Sequence, residues 1–133
     1  MRNNSLHFIC KYSYLRVENN HTPYTNSCKG GQVLKIPIAH GDGNYYIDDH
    51  GLSELIKNNQ IVLRYCEEGG EITPEVNPNG AVYNIAGVCN KEGNVLGMMP
   101  HPERCMEDCL SSSDGRYIFD SILNFIKKKL VHR

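Results

Sequence analysis

Apolar residues in this chain recur with two different periods, one after the other, and that succession predicts an α/β fold. Runs rich in Phe, Ile, Val, Leu and Tyr at Leu6 to Glu18, Val33 to Ala39 and Ile61 to Tyr65 have the composition of strands. Leu52 to Asn58 suits a short helix, and the residues after Ser113 carry apolar side chains at helical spacing. The chain has 133 residues, 40% of them hydrophobic, enough to bury a sizeable core in one unit.

Each element has its own signal. Leu6 to Glu18 alternates roughly and reads as extended, with a break expected near Ser13. Asn19 to Gly31 contains Pro23 and many turn formers and reads as a loop. Val33 to Ala39 is the next strand, followed by the tight loop His40-Gly41-Asp42-Gly43-Asn44. Asp48, Asp49 and His50 have the composition of metal ligands. Their place beside Gly51, before a helix, makes a solvated turn and cap the better reading. Glu67 to Gly80 is acidic and rich in Gly and Pro, as an exposed excursion would be. Val82 to Cys89 and Asn94 to Met99, joined at Lys91-Glu92-Gly93, form a hairpin pattern. Ser113 or Asp114 can cap the last helix. Ile118, Ile122, Phe125 and Ile126 then fall at i, i+4, i+7 and i+8, on one apolar face.

Charge and cysteine usage exclude several functions. A net charge of −1 creates no overall field for nucleic acid or an anionic membrane. Lys127, Lys128 and Lys129 fall in the last turns of the helix, where cations complement its dipole. No stretch approaches the apolar length of a membrane span, and no signal peptide opens the chain. Six cysteines without a secretory signal point to reduced thiols and a cytoplasmic location. Cys105 and Cys109 can share a helical face, but no Cys-x-x-Cys pair supplies further ligands, so no metal site is expected.

The most chemically loaded segment is Gly97-Met98-Met99-Pro100-His101-Pro102-Glu103-Arg104. Pro102 biases His101 toward an extended conformation, on a loop that cannot join a helix there. A stiff loop is a good mount for an imidazole that must be aimed. Glu103 is placed to orient that imidazole, completing the base and orienter of a nucleophile–base–orienter set.

The flanks of this segment, Asn84-Ile85-Ala86-Gly87-Val88 and Gly93-Asn94-Val95-Leu96, extend a pattern that resembles the C-terminal signature of class I glutamine amidotransferases. Within that family it resembles the glutaminase subunits of phosphoribosylformylglycinamidine synthase. Phe8-Ile9-Cys10-Lys11 with Leu15-Arg16-Val17-Glu18-Asn19, Pro37 to Tyr46, and Asn77-Pro78-Asn79-Gly80 match in the same order. The resemblance implies a mixed sheet with flanking helices, of which residues 1–133 would be the C-terminal portion. It implies hydrolysis of L-glutamine through a cysteine thioester, with His101 as base and Glu103 as its orienter. It also implies that His40, Gly41, Gly43 and Asn44 line the glutamine pocket. Glycines there let the backbone adopt positive φ and let a ligand approach closely.

The family's nucleophile sits on a Gly-x-Cys-x-Gly elbow, and none of the six cysteines here has that setting. Gly87-Val88-Cys89-Asn90 begins like the elbow, but Lys91-Glu92 continues as a turn, so Cys89 is expected to be a small hydrophobe at a strand end. The first half of the fold, with the elbow, would then lie outside this chain. The implied partners are a large synthase subunit, which uses ATP and Mg, and a small accessory subunit; no cofactor is expected here. Two other readings stay open. One is a catalytically silent fragment that only docks on the synthase. The other is an unrelated thiol or metal-binding domain.

Overall fold

The computed structural model describes residues 9–40, 45–77, 80–98, 100 and 114–131. Five strands form one antiparallel sheet: β1 (Ile9–Val17), β2 (Val33–His40), β3 (Ile61–Cys66), β4 (Ile85–Cys89) and β5 (Leu96–Met98), in the order β2-β1-β3-β4-β5. Helix α1 (Asp49–Lys57) joins β2 to β3, and α2 (Arg116–Val131) follows the sheet. The α/β expectation holds, and the hairpin of β4 and β5 forms as the sequence predicts.

Strand β1 shows why alternation matters. Ser13, Leu15 and Val17 are buried while Tyr14 and Arg16 are half-buried, the period of a pleated strand with one face on the core. The expected break near Ser13 does not occur. Ser13 pairs with Ile36 inside an unshifted ladder from Ile9 opposite His40 to Arg16 opposite Val33. A serine is small enough to be buried without distorting that ladder. Strands β3 and β4 lie inside the sheet and are buried almost throughout, which gives near-continuous apolar runs instead of alternation.

Two clusters make the core. The larger one includes Leu15, Val17, Leu34, Ile36, Leu63 and Tyr65, and α2 adds Ile118 to it. The smaller one is Leu55 of α1 with Ile61 and Ile85. The side chain of Asp48 caps α1 by accepting from the Gly51 N–H at 2.7 Å. Asp48 is therefore the N-cap, with Asp49 in the first turn of the helix.

The segment between β1 and β2 is more ordered than a loop reading implies. Thr22, Thr25 and Cys28 are buried at every third position, and the N–H groups of Thr25 and Cys28 donate to the carbonyls of Thr22 and Thr25. Its far side is held by α2. Asn26 Nδ2 donates to the Ser121 carbonyl at 2.7 Å, and the Ser27 N–H donates to Ser121 Oγ at 2.8 Å. Ser121 is thus a fully buried polar residue of α2. Along the predicted apolar face, Ile118 is buried and Ile122 packs on the core, but Ile126 is 47% exposed. The stripe is right for the first half of the helix. Asp114 accepts the Lys35 N–H of β2 at 2.7 Å, tying the start of α2 to the sheet.

Candidate functional site

In the sheet order, β2 and β5 are the two edges, yet the glycine-rich loop follows β2 and the His-Pro-Glu segment follows β5. The chain closes that gap at Tyr45. Its carbonyl accepts the Val82 N–H at 2.8 Å, and its ring packs against both core clusters. Tyr45 then lines a cavity of about 230 Å³ with Ile85, Ala86, Gly87, Val88, Gly97 and Met98. Tyr45 directly follows Asn44, and Met98 lies three residues before His101. Both motif-bearing segments are therefore tethered at one apolar cleft.

The candidate residues themselves fall largely beyond this frame. His40 ends β2 opposite Ile9, and its side chain lies outside the described residues. So do Gly41, Gly43, Asn44, His101 and Glu103, along with Cys105 and Cys109. Pro100, which precedes His101, is buried.

Residues to which the sequence reading gave no individual role shape this side of the molecule. Short 3₁₀ turns form at Pro74–Val76 and Val82–Asn84. Tyr83 and Asn84 stand at φ 56° and 54°, the left-handed region that bulky residues rarely occupy. Asn84 is buried, and its amide donates to the Thr73 and Tyr65 carbonyls at 2.7 and 3.3 Å. Asn77 Oδ1 accepts from the Gly80 and Ala81 N–H groups at 2.9 and 3.0 Å. Its Nδ2 donates to the Ala81 carbonyl at 2.7 Å and to Asn84 Oδ1 at 3.2 Å. The sequence offered Asn77-Pro78-Asn79-Gly80 only as part of the resemblance, not its bonds to Ala81 and Asn84.

A separate charged cluster lies beside β3. Arg16 Nε and Nη2 donate to the Glu18 carboxylate at 2.9 and 2.8 Å, and Arg64 Nη1 approaches it at 3.4 Å. The Arg64 guanidinium stacks 3.6 Å over the Tyr83 ring, and its Nε donates to the Tyr83 carbonyl at 2.8 Å. Burial raises the Glu18 pKa, but the bonds and charges of Arg16 and Arg64 outweigh it and hold the carboxyl below its ordinary value.

None of Cys28, Cys66 and Cys89 resembles an activated nucleophile. Burial pushes the Cys66 thiol up to about 11, and burial with the Asp114 charge does the same for Cys28. Cys89 is buried at the end of β4, and burial raises its thiol pKa too. A nucleophilic thiol needs the opposite shift. Among the described residues, no group of three or more His, Cys, Asp or Glu side chains could hold a metal ion, and no helix is long and apolar enough to cross a membrane.

The model of the CobB/CobQ-like glutamine amidotransferase domain matches residues 1–118. The phosphoribosylformylglycinamidine synthase subunit PurQ of Moorella thermoacetica is 58% identical over 94% of this chain and 53% of its own length. The PurQ of Salinibacter ruber is 53% identical over 95% of this chain and 54% of its own length. Among solved structures, a chain of PurLQS from Thermotoga maritima superposes with a TM-score of 0.76 at 44% identity, over 95% of this chain and 51% of that one. The chain spans about half the length of the relatives it matches. It is a partial PurQ-like chain, and it belongs to the CobB/CobQ-like glutamine amidotransferase family.

Proposed function

We propose that this chain is the C-terminal portion of the glutaminase subunit of phosphoribosylformylglycinamidine synthase and carries the base side of a Cys-His-Glu triad. A cysteine from outside these residues attacks the side-chain amide carbon of glutamine. His101 takes the thiol proton and passes a proton to the departing ammonia, leaving a glutamyl thioester. A water molecule, deprotonated by His101, then attacks the thioester and releases glutamate. Glu103 accepts the other imidazole N–H, fixing the tautomer and supporting the positive charge of the transient imidazolium. His40, Gly41, Gly43 and Asn44 hold the α-amino and carboxylate groups of glutamine. Ammonia passes to a large synthase subunit, which with a small accessory subunit performs the ATP- and Mg-dependent amidation of formylglycinamide ribonucleotide in the cytoplasm. The observation that carries this reading is the meeting of Tyr45 and Met98, the anchors of the two motif segments, at one cleft.

The 133-residue chain alone is expected to release no glutamate from glutamine, because a base and its orienter cannot form the thioester without a thiolate. In the full-length subunit with its synthase, His101→Ala should lower glutamine-dependent synthesis by about a hundredfold to ten-thousandfold. Ammonia-dependent synthesis should survive, and Glu103→Gln should be milder. Normal glutamine use by His101→Ala would remove the base assignment. Glutamate release by the chain alone, abolished by Cys89→Ser, would make Cys89 the nucleophile.

A further inference from the structure

Helix α2 carries two apolar rows, and the fold uses one of them. Ile118 and Ser121 are buried and Ile122 packs on the core, which makes this side of the helix its inner face. Phe119, Leu123 and Ile126 stand at i, i+4 and i+7, roughly a third of the way round the helix from it. Phe119 is half-buried, but Leu123 is 54% and Ile126 47% exposed. In the sequence, Leu130 continues the spacing at i+11. Steps of four and three keep a row in line along one side of a helix, and a second helix with the same steps interdigitates with it at a shallow angle. Arg116, Asp120 and Lys127 are exposed along one flank of the row, the charged edge that such a seam keeps in water. Apolar residues scattered singly over a surface need no explanation, but a row at this spacing does.

We propose that the outer row of α2 is a docking seam for a helix from the other half of the same subunit. The inference rests on the reading above that these residues are one portion of a longer glutaminase subunit. The relatives run for about as many residues again outside the part matched here, so the occupant need not come from another chain. Size argues the same way. Stable interfaces between separate chains bury about 1,200 Å² or more, and three side chains on one helix cannot supply that. A seam within one subunit loses no translational freedom on closing, so a narrow row suffices.

The test is thiol labelling of the full-length subunit, purified without its synthase. Leu123→Cys and Ile126→Cys each place a reactive group on the row, and Lys57→Cys places one at the exposed end of α1. Rates are read above those of the parent's own cysteines. Both row positions should label about a hundredfold more slowly than Lys57→Cys in the full-length subunit, and at nearly the same rate as it in the 133-residue chain. Ile126→Cys decides the matter if Leu123→Cys does not fold. Fast labelling at both positions in the full-length subunit sinks the proposal. Protection that appears only when the synthase is added sinks it too, and gives the row to a partner subunit. Protection in the 133-residue chain that grows with concentration gives the row to a second copy instead. The readout needs no catalysis. A subunit that protects both positions but hydrolyses no glutamine overturns the glutaminase chemistry and leaves the seam; one that hydrolyses glutamine with both positions open does the reverse.

Discussion

The two sides of the sheet are built differently. On one side, β1 and β2 pair without a shift along the whole of β2, with Leu15, Leu34 and Ile36 fully buried. On the other, the register between β3 and β4 shifts on both sides of Leu63. Strand β5 is only three residues long, and Tyr83 and Asn84 are left-handed. Both motif-bearing segments are anchored on the irregular side, although one of them leaves from β2. Regular pairing stores stability cheaply but places side chains only at fixed pleat positions. Bulges and strained turns re-aim the chain. The division suggests a stable side that carries a side shaped for recognition.

Three substitutions in the full-length subunit sharpen that division. Leu34→Ala, at a fully buried position of β2, should cost about 2–5 kcal/mol in urea unfolding. KM for glutamine should stay at the parent value; a large rise would mean that the two sides are not separable. Gly87→Ala comes next. A Cβ there would meet Leu63 Cδ1 at 3.2 Å and Leu63 Cβ at 3.4 Å. Leu63 is itself fully buried, so overpacking should cost about 1–3 kcal/mol. Gly87 also lines the cleft, so this smaller loss of stability should come with a higher KM. Stability loss alone would break the contrast.

The smallest effect concerns Glu18, which connects Arg16 on β1 to Arg64 on β3. Its folded pKa lies below the ordinary value. The stabilisation is therefore present above the unfolded carboxyl's pKa and disappears as pH falls through the depressed folded value. Glu18→Gln should be less stable than the parent by at most about 1 kcal/mol at neutral pH. Unfolding curves of the two should merge in acid. A gap that persists at low pH would assign the effect to packing.

How much of this was legible depended on the period of burial. β1, β2, α1 and the β4–β5 hairpin follow from alternation, turn residues and a cap, all local properties. The buried Ser121 and the threefold burial of Thr22, Thr25 and Cys28 were not readable, because polar residues signal loop or exposure until their partners are known. Ile126 was misjudged for a related reason: a helical period marks a face but not how far along it the core extends. The candidate site was read only through resemblance, in His101, Glu103 and the glycine loop, and the side chains of these residues lie outside the described ones. Its support was not legible. The bond from the Val82 N–H to the Tyr45 carbonyl joins residues far apart in sequence, and no local pattern announces it.

The grip of α2 on the turn between β1 and β2 bears on where this family's unit should be cut. The family match ends at residue 118, just inside α2. The Ser121 Oγ and carbonyl that hold Ser27 and Asn26 lie beyond that point, as does Asn124, whose Nδ2 donates to Ser27 Oγ at 2.9 Å. A recombinant fragment trimmed to the family boundary would strip these partners from the turn and leave Cys28, now shielded behind it, open to alkylation and oxidation. Expression boundaries for such chains belong after Asn124, whatever the sequence profile says.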